Sequence, residues 1–173
     1  MRKLIGSALL AVALVAVPSA ANAQQHEFGV DLGIAYEKPS GFDGTFNIFT
    51  PVDVRIGWMS ASKMMIETRL NFGFESGGGA TNYAIAPEVR LLWALGGTHK
   101  AGTYAGVGAE VILVGNGTSG AAFSFGGGIG RRKAMGTAAL RTELFLAYTL
   151  ESVDLGIPNT LTIGANVGLS LWH

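Results

Sequence analysis

The stretch Met64 to Glu75, MMIETRLNFGFE, constrains the chain more than any other. Taken two residues at a time, Met64, Ile66, Thr68, Leu70, Phe72 and Phe74 fall on one face, and Glu67, Arg69, Asn71, Gly73 and Glu75 on the other. A period of two is that of a strand, because successive side chains of extended backbone point to opposite sides. Alternation alone does not say which face meets solvent. That depends on whether the pattern recurs, and on where the chain is sent.

The pattern does recur. Phe28 to Glu37 alternates, then a turn-rich stretch from Lys38 to Gly44 breaks it. The second segment sets Phe46, Ile48, Val52, Val54, Ile56 and Trp58 against Asn47, Asp53, Arg55 and Gly57, with Pro51 expected at a bulge because it cannot donate to a ladder. After Met64 to Glu75 comes Tyr83 to Leu95, in which Pro87 predicts a second irregularity. Further segments cover Tyr104 to Leu113, Phe123 to Gly130, Leu140 to Leu150 and Leu161 to Leu171. Arg131-Arg132-Lys133 reads as part of the next turn. No stretch after residue 23 has a 3.6 period, so the expectation is all-β with eight strands.

Residues 1–23 read as a cleaved export signal, with Arg2 and Lys3 at the start, an apolar run from Leu4 to Val17 and a small-x-small site at Ala21-Asn22-Ala23. The run is too short for a spanning helix, which takes about 20 residues. The predicted mature domain is 24–173. It carries ten basic and twelve acidic residues, which gives no basic footprint for nucleic acid. The chain has no cysteine, so it has neither disulfides nor thiolate metal sites.

An exported eight-stranded meander fits two architectures, an outer-membrane barrel or a soluble lipocalin-like barrel with its apolar face inward. Charge placement favours the first. Of the 173 residues only 14% are charged. On the polar face opposite charges stand two apart in one strand: Asp53 and Arg55, Glu67 and Arg69, Glu88 and Arg90, Arg141 and Glu143, with Glu110 alone. A narrow lumen has room only for side chains, and charges inside it must pair. Trp58 and Trp93 near short turns, and Phe72, Phe74, Tyr83 and Tyr148 nearer the other loops, suggest two interfacial aromatic girdles.

On these residues the chain resembles the small eight-stranded outer-membrane β-barrels typified by the transmembrane domain of outer membrane protein A. Its C-terminus, with Gly168, Leu171, Trp172 and His173, looks like the terminal-strand signal of that family, although His173 stands where Phe is usual. The resemblance implies periplasmic termini, contact with outer-membrane lipid and insertion by the barrel-assembly machinery. Met59 to Lys63, Gly96 to Gly102 and Arg131 to Gly136 are then the periplasmic turns.

Chemistry is sparse. His26, His99 and His173 all map to the periplasmic end, far from an outer-leaflet substrate, so no enzyme is expected. The run Gly126 to Gly130 lacks phosphate-loop spacing, and no His, Asp or Glu grouping has metal-ligand spacing; no cofactor is expected. The expected function is a structural or surface barrel with a charge-plugged lumen. A small pore or hydrophobic-solute channel, or a soluble ligand-binding barrel, are the alternatives.

Overall fold

The structure, a computed structural model, describes residues 26–61, 63–77, 80–115 and 119–173. The expected leader, residues 1–23, and its expected cleavage site lie outside them. Eight strands follow one another: β1 (His26–Pro39), β2 (Thr45–Ala61), β3 (Met64–Gly77), β4 (Ala80–Gly97), β5 (Gly102–Gly115), β6 (Ser119–Met135), β7 (Ala138–Thr149) and β8 (Thr160–Trp172). Each pairs antiparallel with the next, and β8 returns to β1 to close the barrel. Closure removes both sheet edges, which is what allows a β structure to stand in lipid.

The polarity is inverted relative to a soluble protein. Phe28, Leu70 and Leu144 are 49%, 45% and 64% exposed, whereas Arg69 and Glu143 are 7% and 3% exposed. The apolar face is therefore the outer wall and the charged face the lumen, so the soluble barrel with an apolar interior is not what forms. Strands of 12 to 18 residues exceed the roughly 9–11 needed to cross a bilayer, so they project beyond it.

Proline and glycine explain the departures from a regular ladder. Between Asp31↔Asp53 and Gly33↔Phe49 the single residue Leu32 faces Thr50, Pro51 and Val52, so the expected bulge lies at Pro51. Pro87 behaves differently. It stays in register with Leu70 on β3, and on the β5 side the pairing skips Ala86 and Pro87 but resumes unshifted from Glu88↔Glu110 to Ile85↔Leu113. The β6–β7 hairpin turns at Gly136, whose φ of 69° suits a residue without a Cβ.

One boundary differs from the sequence expectation. Arg131, Arg132 and Lys133 belong to β6 and not to a turn. The inward parity of Gly128 and Gly130 simply continues, so Arg132 is 1% exposed inside the barrel while its two neighbours face out. A run of three cations looks like solvated loop, but alternation places its middle member in the lumen.

Candidate functional site: the lumen

The lumen has three storeys. At the end carrying the termini, Met65, Leu92, Tyr104, Ala139 and Trp172 form a buried apolar floor, with Met59 packed against it. The β4–β5 turn folds beneath: His99 is 1% exposed, and Lys100 Nζ lies 5.8 Å from the centroid of the Trp172 ring. Burial, and next the Arg132 guanidinium, hold the His99 pKa below its ordinary value.

Above the floor sits an ionic hub centred on Glu67. Arg69 Nε lies 2.9 Å from its carboxylate and Arg141 Nη1 2.5 Å, with Arg132, Arg55 and Arg90 at 3.5, 3.6 and 3.7 Å. Glu143 is the second anion, 2.6 Å from Arg141, 2.8 Å from Arg90 and 3.2 Å from Arg69. Tyr104 ties the hub to the floor. Its hydroxyl donates to Glu143 at 2.6 Å and accepts from Arg141 Nε at 2.5 Å, while the Arg132 and Arg141 guanidiniums lie 4.6 and 5.0 Å from its ring centroid. Planar guanidiniums suit this packing, because each presents several donors in a fixed fork and stacks on aromatic faces.

Some pairings differ from those expected. Arg69 with Glu67, Arg90 with Glu88 and Arg141 with Glu143 do meet within their strands. Arg55 does not meet Asp53. It is ion-paired with Glu27 and, at 2.6 Å, with Asp31, and it donates to Ser170 Oγ at 3.1 Å. Asp53 lies instead 3.8 Å from Arg69 on the next strand. The reason is geometric: Arg55 stands opposite Gly29, whose missing side chain leaves room for the guanidinium between the diagonal neighbours Glu27 and Asp31. Glu27, Asp31, Tyr104 and Arg132 were missing from the expected network. Glu27 and Asp31 share the inward parity of Gly29, and Arg132 bonds Glu27 at 2.7 Å. The Glu110 carboxylate has no ion pair or side-chain hydrogen bond among the described residues.

The third storey, at the loop end, is a cavity of about 590 Å³. Arg69, Arg90 and Glu143 form its base, and Asp53, Glu88 and Glu110 stand around it, with Ile112 and Phe145 supplying apolar wall. Among the described residues the lumen is not charge-balanced. Five guanidiniums, of Arg55, Arg69, Arg90, Arg132 and Arg141, face eight carboxylates, of Glu27, Asp31, Glu37, Asp53, Glu67, Glu88, Glu110 and Glu143.

The residues expected at the membrane interfaces fall as follows. Trp58 pairs with Ile66 and Trp93 with Met64, both near the β2–β3 turn, and Trp93 is exposed on the outer wall. Near the loop end the rings of Phe125 and Tyr148 pack tilted with centroids 5.8 Å apart, as do those of Tyr36 and Phe46 at 5.1 Å; Phe72 is exposed. Phe74 and Tyr83 pair through their backbones in β3 and β4; the described residues do not include their side chains. At the C-terminus Leu171 faces out and Trp172 faces in, Gly168 lies against Asp31, and the backbones of His173 and His26 exchange two hydrogen bonds of 3.0 Å. His26, His99 and His173 all lie at this end.

A closed antiparallel barrel of eight strands, apolar outside and ionised inside, is a transmembrane β-barrel of the outer-membrane type. Solved structures have the same fold. Neisserial surface protein A aligns with a TM-score of 0.65 at 10% identity, over 84% of this chain and 96% of that one. The outer membrane protein OprG from Pseudomonas aeruginosa aligns with a TM-score of 0.52 at 13% identity, over 87% of this chain and 96% of that one. No family model and no curated protein matches the chain.

Proposed function

We propose that this chain serves as an integral structural and surface barrel of the outer membrane, with its lumen closed by the ionic hub. The observation that carries the reading is Glu67, which has five guanidiniums within 3.7 Å and no exposure. Opening such a hub means separating charges already removed from water, and breaking one buried pair costs about 3–5 kcal/mol. A closed hub stiffens the wall without conducting.

The same reading makes the chain a non-enzyme without a cofactor, since its three histidines stand at the end away from the loops. Its partners are outer-membrane lipid and, during biogenesis, the barrel-assembly machinery, which would read the terminal strand through Gly168, Leu171, Trp172 and His173. The test is a pair of measurements on the refolded protein. Unboiled and boiled samples should migrate differently on a gel, and planar bilayers containing the folded form should stay electrically silent. Steady ohmic conductance from the folded form would refute the plug.

A further inference from the structure

The lumen takes in most of the charge on the strands, and what is left on the outer wall is all of one sign. Among the described residues the strands carry three charges on that wall: Lys38 at the loop end, and Arg131 and Lys133 on β6 at the end carrying the short turns. Lys38 is satisfied locally, since its Nζ donates to the carbonyl of Phe42. Arg131 and Lys133 have no ion pair or side-chain hydrogen bond among the described residues.

Their height on the wall is that of the interfacial aromatics. Arg131 stands four residues before the end of its strand at Met135, as Trp93 stands four before Gly97 and Trp58 three before Ala61. Across the ladder it lies between Thr103 on β5 and Thr142 on β7, two outward positions with hydroxyls. Such neighbours are about 5 Å apart, and Lys133, two residues along, lies about 7 Å from Arg131. Toward the loop end the wall turns apolar at once, with Ile129 and Leu144 being 51% and 64% exposed. Two cations and two hydroxyls thus border hydrocarbon at headgroup depth.

The surroundings decide the sign and class of what fits. The described carboxylates lie in the lumen or, as Asp43, Glu151 and Asp154, in the connections at the loop end. An ammonium-bearing headgroup would find no anion beside Arg131, whereas a phosphate with an uncharged alcohol would leave nothing unpaired. A guanidinium and an ammonium are both strong phosphate donors, and charge-assisted bonds of this kind gain strength where water is scarce.

We propose that this face of β5 to β7 docks one anionic phospholipid, with its phosphate between Arg131 and Lys133, Thr103 and Thr142 beside it, and its acyl chains along Ile129 and Leu144. The inference rests on the reading of the chain as an integral outer-membrane barrel with its short turns toward the periplasm, so the lipid belongs to the inner leaflet.

The test places the full barrel in phosphatidylcholine vesicles doped with a phosphatidylglycerol or a phosphatidylcholine that carries a diazirine near the carboxyl end of one acyl chain. Light-driven labelling by the phosphatidylglycerol probe should saturate, map to the turn ends of β5, β6 and β7, and be displaced by unlabelled phosphatidylglycerol; the phosphatidylcholine probe should label evenly round the wall. Arg131→Gln and Lys133→Gln should each weaken the saturable labelling about fivefold, the factor for roughly 1 kcal/mol per cation at a membrane surface. Arg131→Lys should keep most of it. Lys63→Gln removes a cation from the β2–β3 turn, away from this face, and should leave it unchanged. Even labelling by the phosphatidylglycerol probe, or an equal loss from Lys63→Gln, would overturn the proposal in favour of diffuse attraction to a basic rim. Gel migration of the same samples reports whether the barrel is folded, and conductance reports the plug, so each reading can fail separately.

Discussion

Replacing Glu67 by Gln changes one oxygen to an amide nitrogen and keeps the shape. It also removes the charge on which five guanidiniums converge and points a donor at groups that are themselves only donors. All five keep another carboxylate, Arg141, Arg90 and Arg69 through Glu143, Arg132 through Glu27, and Arg55 through Glu27 and Asp31, so the loss is partial for each. What remains is a fully buried site with excess positive charge, for which the loss of one partner costs about 3–5 kcal/mol. The measure is the unfolding midpoint of the barrel in urea, read by gel migration and tryptophan emission, with the slope checked for two-state behaviour. Arg141→Met on the same background should return part of the loss, since it removes one of the stranded cations. A Glu67→Gln barrel within about 0.5 kcal/mol of the parent, the usual range for surface positions, would refute the hub as a close-packed ionic plug.

Other positions test the remaining storeys. Leu144→Arg on the outer wall should cost about 2–4 kcal/mol if it lies near midplane, and Ala147→Ser on the lumen side should be mild; equal tolerance in a refolding titration would argue against the inversion. A Cβ at Gly130 would collide with the Tyr104 ring, so Gly130→Ala should cost about 1–3 kcal/mol by overpacking and loosen the hydroxyl that joins Glu143 to Arg141. In an unfolded chain His99 titrates near 6.5, and in the barrel it takes a proton less readily. The unfolded state therefore binds more protons below that pH, so stability at the β4–β5 turn should fall from about pH 6.5 downward and be unaffected above it. Hydrogen exchange across residues 98–101 measures this, and His99→Gln should remove the dependence.

The barrel was legible in the sequence because a period of two over eight segments leaves no other regular structure, and the low charge content leaves no wet outer face. Pro51 was legible as a bulge for the same reason: its lost donor must fall where the ladder is already broken. Arg132 was harder. The signal was present in the parity it shares with Gly128 and Gly130, but three successive cations suggest a loop, and the true turn is marked by Gly136. The pairing of Arg55 could not be read at all, since its partners Glu27 and Asp31 lie on another strand and depend on register. That the β2–β3 ladder, among the described residues, ends at Val54↔Leu70 left no trace in the alternation, because both segments keep a strand pattern beyond it.

Where the hub's ligands come from along the chain has a consequence for how the molecule is made. Arg55 on β2 needs Glu27 on β1 and Ser170 on β8, Arg132 on β6 needs Glu27, and Arg141 on β7 needs Glu67 on β3. A hairpin or half-sheet released into lipid would carry guanidiniums with only part of their anions: Arg132 without Glu27, Arg141 without Glu67, and Arg69 and Arg90 without Glu143. Assembly must therefore proceed with the growing sheet sheltered until the first and last strands join, and removal of β8 should abolish insertion outright instead of yielding a seven-stranded remnant.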